Sequence, residues 1–205
     1  MNFRRGSRSH LRLLNFFQMS DVFLGIDTAT PYLALALWSP ERGTLEDFNE
    51  EVGRDHAKRV LLDLETLFSQ AGIAKTDLAG IGVGLGPGSY TGLRVGIATA
   101  RGLARGLGIP VGGRSTLEAI AFGRLQLGEK GIIALDARRE NIYTGVFEQK
   151  ETSVDTLEAI SKRNREEMQA AHPGVRYLEN KPPDAVYLAR MAFEEKTEGL
   201  NAIYL

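Results

Sequence analysis

Apolar and polar positions along this chain alternate first with a period of two, and only later with a period between three and four. Val22-Phe23-Leu24-Gly25-Ile26-Asp27 reads as a strand ending in an acid, and Thr28-Ala29-Thr30-Pro31 as a turn. Tyr32 to Trp38 is a second strand, and Ser39-Pro40-Glu41-Arg42-Gly43 makes a hairpin turn into a third near Thr44 to Glu51. The period then lengthens. Ala57, Val60, Leu61, Leu64, Leu67, Phe68 and Ala71 lie on a helical stripe, with Asp55 placed to cap it and Gly72 to end it.

Three strands before any helix differ from a doubly wound sheet, which alternates strand and helix from the start. With Asp27 at the end of the first strand, the pattern suits a ribonuclease H-like half of the actin and sugar-kinase superfold. Ala79 to Leu85 is a short buried strand, and a Gly/Ala-rich helix follows it. Ile109 to Gly113 is a short strand or crossover. Ser115 caps a further helix, with Glu118 completing a capping box and Leu117, Ile120, Ala121 and Leu125 facing a core. Gly128 to Gly131 is the expected seam between halves. Beyond it, Gly131 to Asp136 repeats the theme of an apolar strand ending in aspartate, followed by strands at Tyr143 to Phe147 and near Thr152 to Ala159. Asn164 to Ala171 reads as a short helix and Val175 to Leu178 as a strand. Pro182-Pro183-Asp184 opens a last helix with Ala185, Leu188, Ala189, Ala192 and Phe193 inward. The expected domains are thus residues 19–129 and a shortened second half, 130–205, whose last helix is able to pack back on the first half.

The strand-to-helix junction Gly84-Leu85-Gly86-Pro87-Gly88-Ser89-Tyr90-Thr91-Gly92-Leu93-Arg94 carries the chemistry that can be read directly. Such a junction sets free N–H groups and the positive end of a helix dipole at the mouth of a sheet, a seat for phosphate or carboxylate. Three familiar motifs fail there. A P-loop needs a lysine after its last glycine, where Ser89 and Tyr90 stand; a dinucleotide fingerprint starting at Gly82 or Gly84 meets Pro87 or Ser89 at its sixth position. Ser89 has Pro87 and Thr91, not glycines, two residues to either side, so it is no nucleophile elbow. A tight turn packed on a neighbour and an anion or partner contact both remain open.

The following helix bears Gly92, Gly96, Ala100, Ala104 and Gly108 at every fourth position, flanked by Leu93, Ile97, Leu103 and Leu107 and by Arg94, Arg101 and Arg105. Glycine in a helix costs up to about 1 kcal/mol relative to alanine, so close packing has to offset it. The neighbour is either the chain's own sheet or a helix of another chain.

Composition narrows the function. In 205 residues, 25 Lys+Arg face 26 Asp+Glu, so no overall basic field holds nucleic acid, and any RNA role is expected through a partner. The absence of cysteine removes disulfides, thiolate metal sites and thiol catalysis. His56 has Val60 where a helical His pair would need its partner, while His10 and His172 lie elsewhere; His56 is expected at the surface or an interface, and no metal site is expected. No apolar run approaches membrane-spanning length, which predicts a cytoplasmic protein without a membrane partner. Residues 1–18 hold Arg4, Arg5, Arg8 and Arg12 without an acid and read as a basic extension outside the fold.

Asp27-Thr28-Ala29-Thr30, His56, Gly86 through Gly96, Ser115-Thr116-Leu117, Asp136-Ala137-Arg138 with Tyr143, and Ile203-Tyr204-Leu205 together resemble the bacterial TsaB (YeaZ) family, from about Val22 to the end. The resemblance implies an actin-like (ASKHA), ribonuclease H-like α/β fold of two small halves with mixed sheets. It also implies a noncatalytic relative of TsaD that takes part in making threonylcarbamoyladenosine in tRNA next to the anticodon. Its implied partners are a TsaD-like catalytic subunit and a TsaE-like ATPase, with tRNA engaged only through the complex and a homodimer formed alone. No cofactor is implied for the chain by itself; ATP and Mg belong to the assembly. In the family the first two helices build the partner contact, which would place His56, Gly92, Arg94, Gly96, Ala100 and Ala104 at the interface. Asp27, Gly86, Gly88, Ser89 and Thr91 would lie beside a nucleotide, although the Asp27 to Thr30 turn lacks the glycine of an Asp-x-Gly phosphate loop. The competing expectation is a stand-alone actin-fold ATP-dependent kinase using Asp27 or Asp136, or a glycoprotease-like hydrolase; a third is a scaffold for another pathway.

Overall fold

The computed structural model describes residues 21–194 and 202–203; the basic stretch 1–18, Tyr204 and Leu205 lie outside them. Strands Val22–Asp27 (β1), Tyr32–Ser39 (β2) and Gly43–Glu51 (β3) form an antiparallel meander. After helix His56–Ala71 (α1), strand Leu78–Gly84 (β4) joins β1 in parallel; after helix Tyr90–Leu107 (α2), strand Val111–Arg114 (β5) joins β4 in parallel. The sheet order is β3-β2-β1-β4-β5. Helix Thr116–Arg124 (α3) leads to Lys130–Asp136 (β6), Asn141–Gln149 (β7) and Val154–Asn164 (β8), and then to Arg165–Ala171 (α4), Arg176–Glu179 (β9) and Ala185–Glu194 (α5). The second sheet runs β8-β7-β6-β9, with β9 parallel to β6. The same ribonuclease H-like order thus occurs twice, one strand shorter the second time, and the chain has the actin-like α/β fold of two mixed sheets. Among the described residues, no helix is long and apolar enough to cross a membrane.

Strand alternation decides what each face of the first sheet holds. Leu24 and Ile26 on β1, Leu33, Leu35 and Leu37 on β2, and Ile81 and Val83 on β4 build one core with Val60, Leu64, Leu67 and Phe68 of α1 and Ala100 and Ala104 of α2. The intervening residues are Gly25, Ala34, Ala36 and Gly82, an almost flat bed. On it lies α5, which packs against β1, β2, β4 and β5. A Cβ on Gly25 would overlap the carbonyl of Ala185, and one on Gly82 the carbonyl of Leu188. Backbone meets backbone there, and only glycine permits it.

The helices are exchanged between the halves. Leu117, Ile120, Ala121 and Leu125 of α3 face a core, as their period predicts, but that core belongs to Ile133, Leu135, Phe147 and Leu178 of the second sheet. The seam at Gly128 to Gly131 therefore separates the two sheets without separating the two cores. Each sheet is covered by a helix from the other segment, and the two helices meet where the Phe122 and Tyr187 rings stack at 4.9 Å.

Several ends differ from expectation. Asp55 precedes α1 without capping it, because its carboxylate is held by Lys58 at 2.7 Å. Glu118 accepts from the Tyr187 hydroxyl at 3.3 Å, where a capping box would have turned it back on Ser115. Phe193 is 42% exposed, with one edge on Phe23 and Trp38.

Candidate functional site

The turn after β4 is built by four tethers. The Ser89 N–H donates to Ala29 O at 2.7 Å, and Ser89 Oγ caps α2 by accepting from the Gly92 N–H. The Thr28 hydroxyl donates to Gly92 O at 2.7 Å, and the Gly86 N–H donates to Thr116 Oγ1 at 3.1 Å. Gly86 sits at φ +89, and a Cβ on Gly88 would overlap Ala29 O, so both glycines are demanded by the turn itself.

Asp27 stands behind this turn, fully buried. Its Oδ1 accepts the Ala29 N–H at 2.8 Å and its Oδ2 the Thr116 hydroxyl at 2.7 Å. Because α3 rides on the second sheet, the Asp27–Thr116 bond also ties the two sheets together. Desolvation by burial pushes the carboxyl up to about 6, against the lowering by its two donors. The folded chain thus keeps a proton that the unfolded chain releases near pH 3.8, so the stability Asp27 contributes is full below about pH 4 and is lost as pH rises through about 6. A shift of that size corresponds to roughly 3 kcal/mol. The stability difference between wild type and Asp27→Asn, from urea unfolding, is expected to shrink by about that amount between pH 4 and pH 7; a flat difference would contradict the buried ionisation.

In front of the turn, a cleft of about 820 Å³ opens between the sheets. Gly88, Ser89 and Thr91 line it together with Tyr32, Arg54, Tyr90, Asp136, Arg138, Tyr143 and Asn180. Of the residues expected beside a nucleotide, these three reach the cleft; Gly86 and Asp27 are buried behind it. With both oxygens engaged inside the protein, Asp27 does not fit the role of a carboxylate presented to magnesium and phosphate. On the opposite lip, Arg138, Arg139 and Glu140 take left-handed φ values of 66, 53 and 65, uncommon for residues with side chains. Asp136 Oδ1 accepting the Arg138 N–H and Glu140 O accepting the Arg165 N–H hold that turn in place. Left-handed conformations of this kind cost of order 1–3 kcal/mol per residue and persist only because the surrounding contacts hold them.

The stripe on α2 faces inward, and the expectation that it meets another chain is corrected. Ala100 and Ala104 belong to the first core, while a Cβ on Gly92 would overlap Thr28 O and one on Gly96 would overlap Thr28 Oγ1. The chain's own β1–β2 turn and sheet occupy that side. Gly108 lies off the stripe as the left-handed C-cap at φ 69. His56 is likewise inside, 4% exposed, with Nε2 at 3.1 Å from Tyr32 O, so it is neither a surface nor an interface residue. Arg94 is exposed, its guanidinium 5.5 Å from the Tyr90 ring centre. Spacing alone had missed a second set of small residues half a turn away: a Cβ at Gly102 or Gly106 would meet nothing within 4 Å, and Ala98 beside them is exposed. Leu61 and Leu62 on the neighbouring α1 are 61% and 66% exposed. An apolar pair left in water on α1 and a bare helix face on α2 were the available signals.

A family model described as TsaD, tRNA N6-adenosine threonylcarbamoyltransferase, matches residues 49–194, from within β3 to the last residue of α5. The chain belongs to the TsaD family. Several of its curated relatives carry the TsaB name. The tRNA threonylcarbamoyladenosine biosynthesis protein TsaB of Escherichia coli (strain K12) is 35% identical over 144 residues, covering 68% of this chain and 62% of that protein. TsaB of Bacillus subtilis (strain 168) is 35% identical over 129 residues, covering 62% and 55%. The chain thus spans between half and two thirds of the length of these TsaB relatives. YeaZ from Pseudomonas aeruginosa shares the fold, with a TM-score of 0.75 at 24% identity over 90% of this chain and 100% of that one.

Proposed function

We propose that the chain is an accessory subunit for threonylcarbamoyladenosine modification of tRNA next to the anticodon, and that it acts by binding and organising a TsaD-like catalytic subunit. The names of the TsaB relatives support the pathway. The observations that carry the mode of action are exposed surfaces on the packed pair α1 and α2: Leu61 and Leu62 stand in water on α1, and Ala98, Gly102 and Gly106 leave one face of α2 bare. A partner helix can approach this face to backbone distance and cover both leucines; Arg105, exposed on the same helix, supplies a rim charge. The same face serves a homodimer when the chain is alone. A TsaE-like ATPase completes the assembly in the cytoplasm, and ATP and Mg act on the other subunits, since Asp27 is sealed here. That sealing also weighs against a stand-alone kinase built on Asp27.

Leu61→Asp with Leu62→Asp tests this without touching the core. The double variant is expected to melt as wild type does, to lose capture of the catalytic subunit by at least about tenfold, and to lower tRNA modification in reconstitution in step. Modification that proceeds equally without this chain, or capture unchanged by the double variant, would sink the reading. Capture of an unrelated enzyme in place of the TsaD-like subunit would point to the scaffold role in another pathway.

A further inference from the structure

The lips of the inter-sheet cleft carry two matching pairs that the docking role does not use. On the α2 side, Arg94 lies over Tyr90, 5.5 Å from the ring centre; on the second sheet, Lys162 lies over Tyr143 at 5.9 Å. Both tyrosines line the cleft, and Tyr90 is 60% exposed. Arg54 lines it from the loop before α1 and Arg138 from the left-handed turn after β6. Elsewhere the chain pairs many of its cations with carboxylates, as at Lys58, Arg59, Lys150, Arg163, Arg165 and Arg176. No ion pair joins Arg54, Arg94, Arg138 or Lys162 to a carboxylate among the described residues. Two acids share the cleft, Glu51 and Asp136, and one oxygen of Asp136 is already engaged by the Arg138 N–H.

A cation resting on a ring keeps its N–H groups available for phosphate oxygens, while the exposed remainder of the ring offers a stacking surface. Cations alternating with aromatic faces along an open groove are the arrangement that holds single-stranded nucleic acid, phosphates on the charges and unpaired bases on the rings. A merely polyacidic peptide would use the charges and leave the tyrosines idle. The cleft is roomy enough at about 820 Å³ to admit a splayed base.

We propose that the cleft-lining Tyr90, Tyr143, Arg54 and Arg138, with Arg94 and Lys162 resting on the two rings, are the chain's own contact with unpaired RNA. The near-zero net charge does not oppose it, because the contact is local. The proposal rests on the reading above only in naming the nucleic acid as RNA.

The test uses the full chain, alone and with its catalytic partner, and follows a single-stranded oligoribonucleotide and a tRNA anticodon stem-loop by fluorescence anisotropy across a salt series. Arg138→Glu with Lys162→Glu is expected to weaken binding at least tenfold and to lower the salt slope by about two. Tyr143→Ala is expected to weaken the single strand by about tenfold and a duplex control little. Arg42→Glu, on the remote β2–β3 turn, should change binding less than about twofold. Arg54→Glu provides a second charge reversal away from the strained turn, should the first pair alter the melting temperature. Equal RNA binding by wild type and both charge-reversed forms, competition by polyglutamate as effective as by RNA, or no RNA binding by wild type at low salt with or without the partner would each overturn the proposal. Capture of the catalytic subunit is measured on the same variants. Capture kept while RNA is lost supports the contact, and Leu61→Asp with Leu62→Asp should give the reverse, so failure of the docking reading is seen separately.

Discussion

Gly82→Val is expected to leave no folded protein at 25 °C, with cooperative unfolding absent in urea and the chain recovered in the insoluble fraction. The bed beneath α5 is made of backbone, and the first atom of any side chain at position 82 would overlap the carbonyl of Leu188. Relief requires α5 to lift, which uncovers Tyr187, Leu188 and Ala189, all at most 2% exposed. Overpacking against movable side chains costs about 1–3 kcal/mol, but here the obstacle is a helix backbone with no rotamer to change, and the whole helix face is lost with it. Against a typical stability of about 5–15 kcal/mol this is enough. Gly96→Leu, whose new side chain would enter the Thr28 hydroxyl that holds Gly92 O, is expected to fail in the same direction. Gly102→Ala, six residues on in the same helix, should do the opposite. It meets open space, and an exposed helical glycine replaced by alanine gains roughly 0.5–1 kcal/mol, readable as a higher urea midpoint at unchanged slope.

This contrast shows what a sequence conveys and what it withholds. A four-residue spacing of small residues occurs twice on α2, at Gly92, Gly96, Ala100 and Ala104 and at Ala98, Gly102 and Gly106. Periodicity reports that a face is bare without reporting what lies against it. The β1–β2 turn chooses between them by placing Thr28 against the first set, a contact between residues far apart in the chain. Elements were legible for the converse reason: alternation in Val22 to Asp27 and the helical stripe from Ala57 to Ala71 are local, and the structure places β1 and α1 there. Ser115 was legible as a start signal because a cap is satisfied within three residues. Asp55 was not a cap because Lys58 competed for its carboxylate. Gly25 and Gly82 did hold the seat of α5, as positions stripped of side chains on adjacent strands, yet nothing local tells which helix will use them. Of the candidate site, the cleft positions of Gly88, Ser89 and Thr91 could be read from a strand meeting a helix. Arg54 and Tyr143 could not, since a loop and a strand pairing bring them there from separate segments.

A chain divided at the seam is expected to give two fragments that do not fold apart and that fold when brought together. Residues 130–205 lose α3, and with it Leu117, Ile120, Ala121 and Leu125, half of the core against which Ile133, Leu135, Phe147 and Leu178 are buried. Residues 1–129 keep the five-stranded sheet but lose α5, so Phe23, Gly25, Ala34, Ala36 and Gly82 turn to water. Four large apolar side chains left uncovered cost about 1.5–3 kcal/mol each, comparable with the whole stability of so small a domain. Circular dichroism and heteronuclear NMR of each fragment should show unfolded or molten chains, and an equimolar mixture should regain dispersed signals. A second fragment that folded by itself would mean that α3 is dispensable to the second sheet. The exchange has a consequence for function as well. Because α3 and α5 each belong to one segment and cover the other's sheet, and because Asp27 on the first sheet holds Thr116 at the head of α3, the cleft cannot widen without straining both cores. The two lips that carry Tyr90 and Tyr143 are thereby tied to one another through α3, α5 and the Asp27–Thr116 bond.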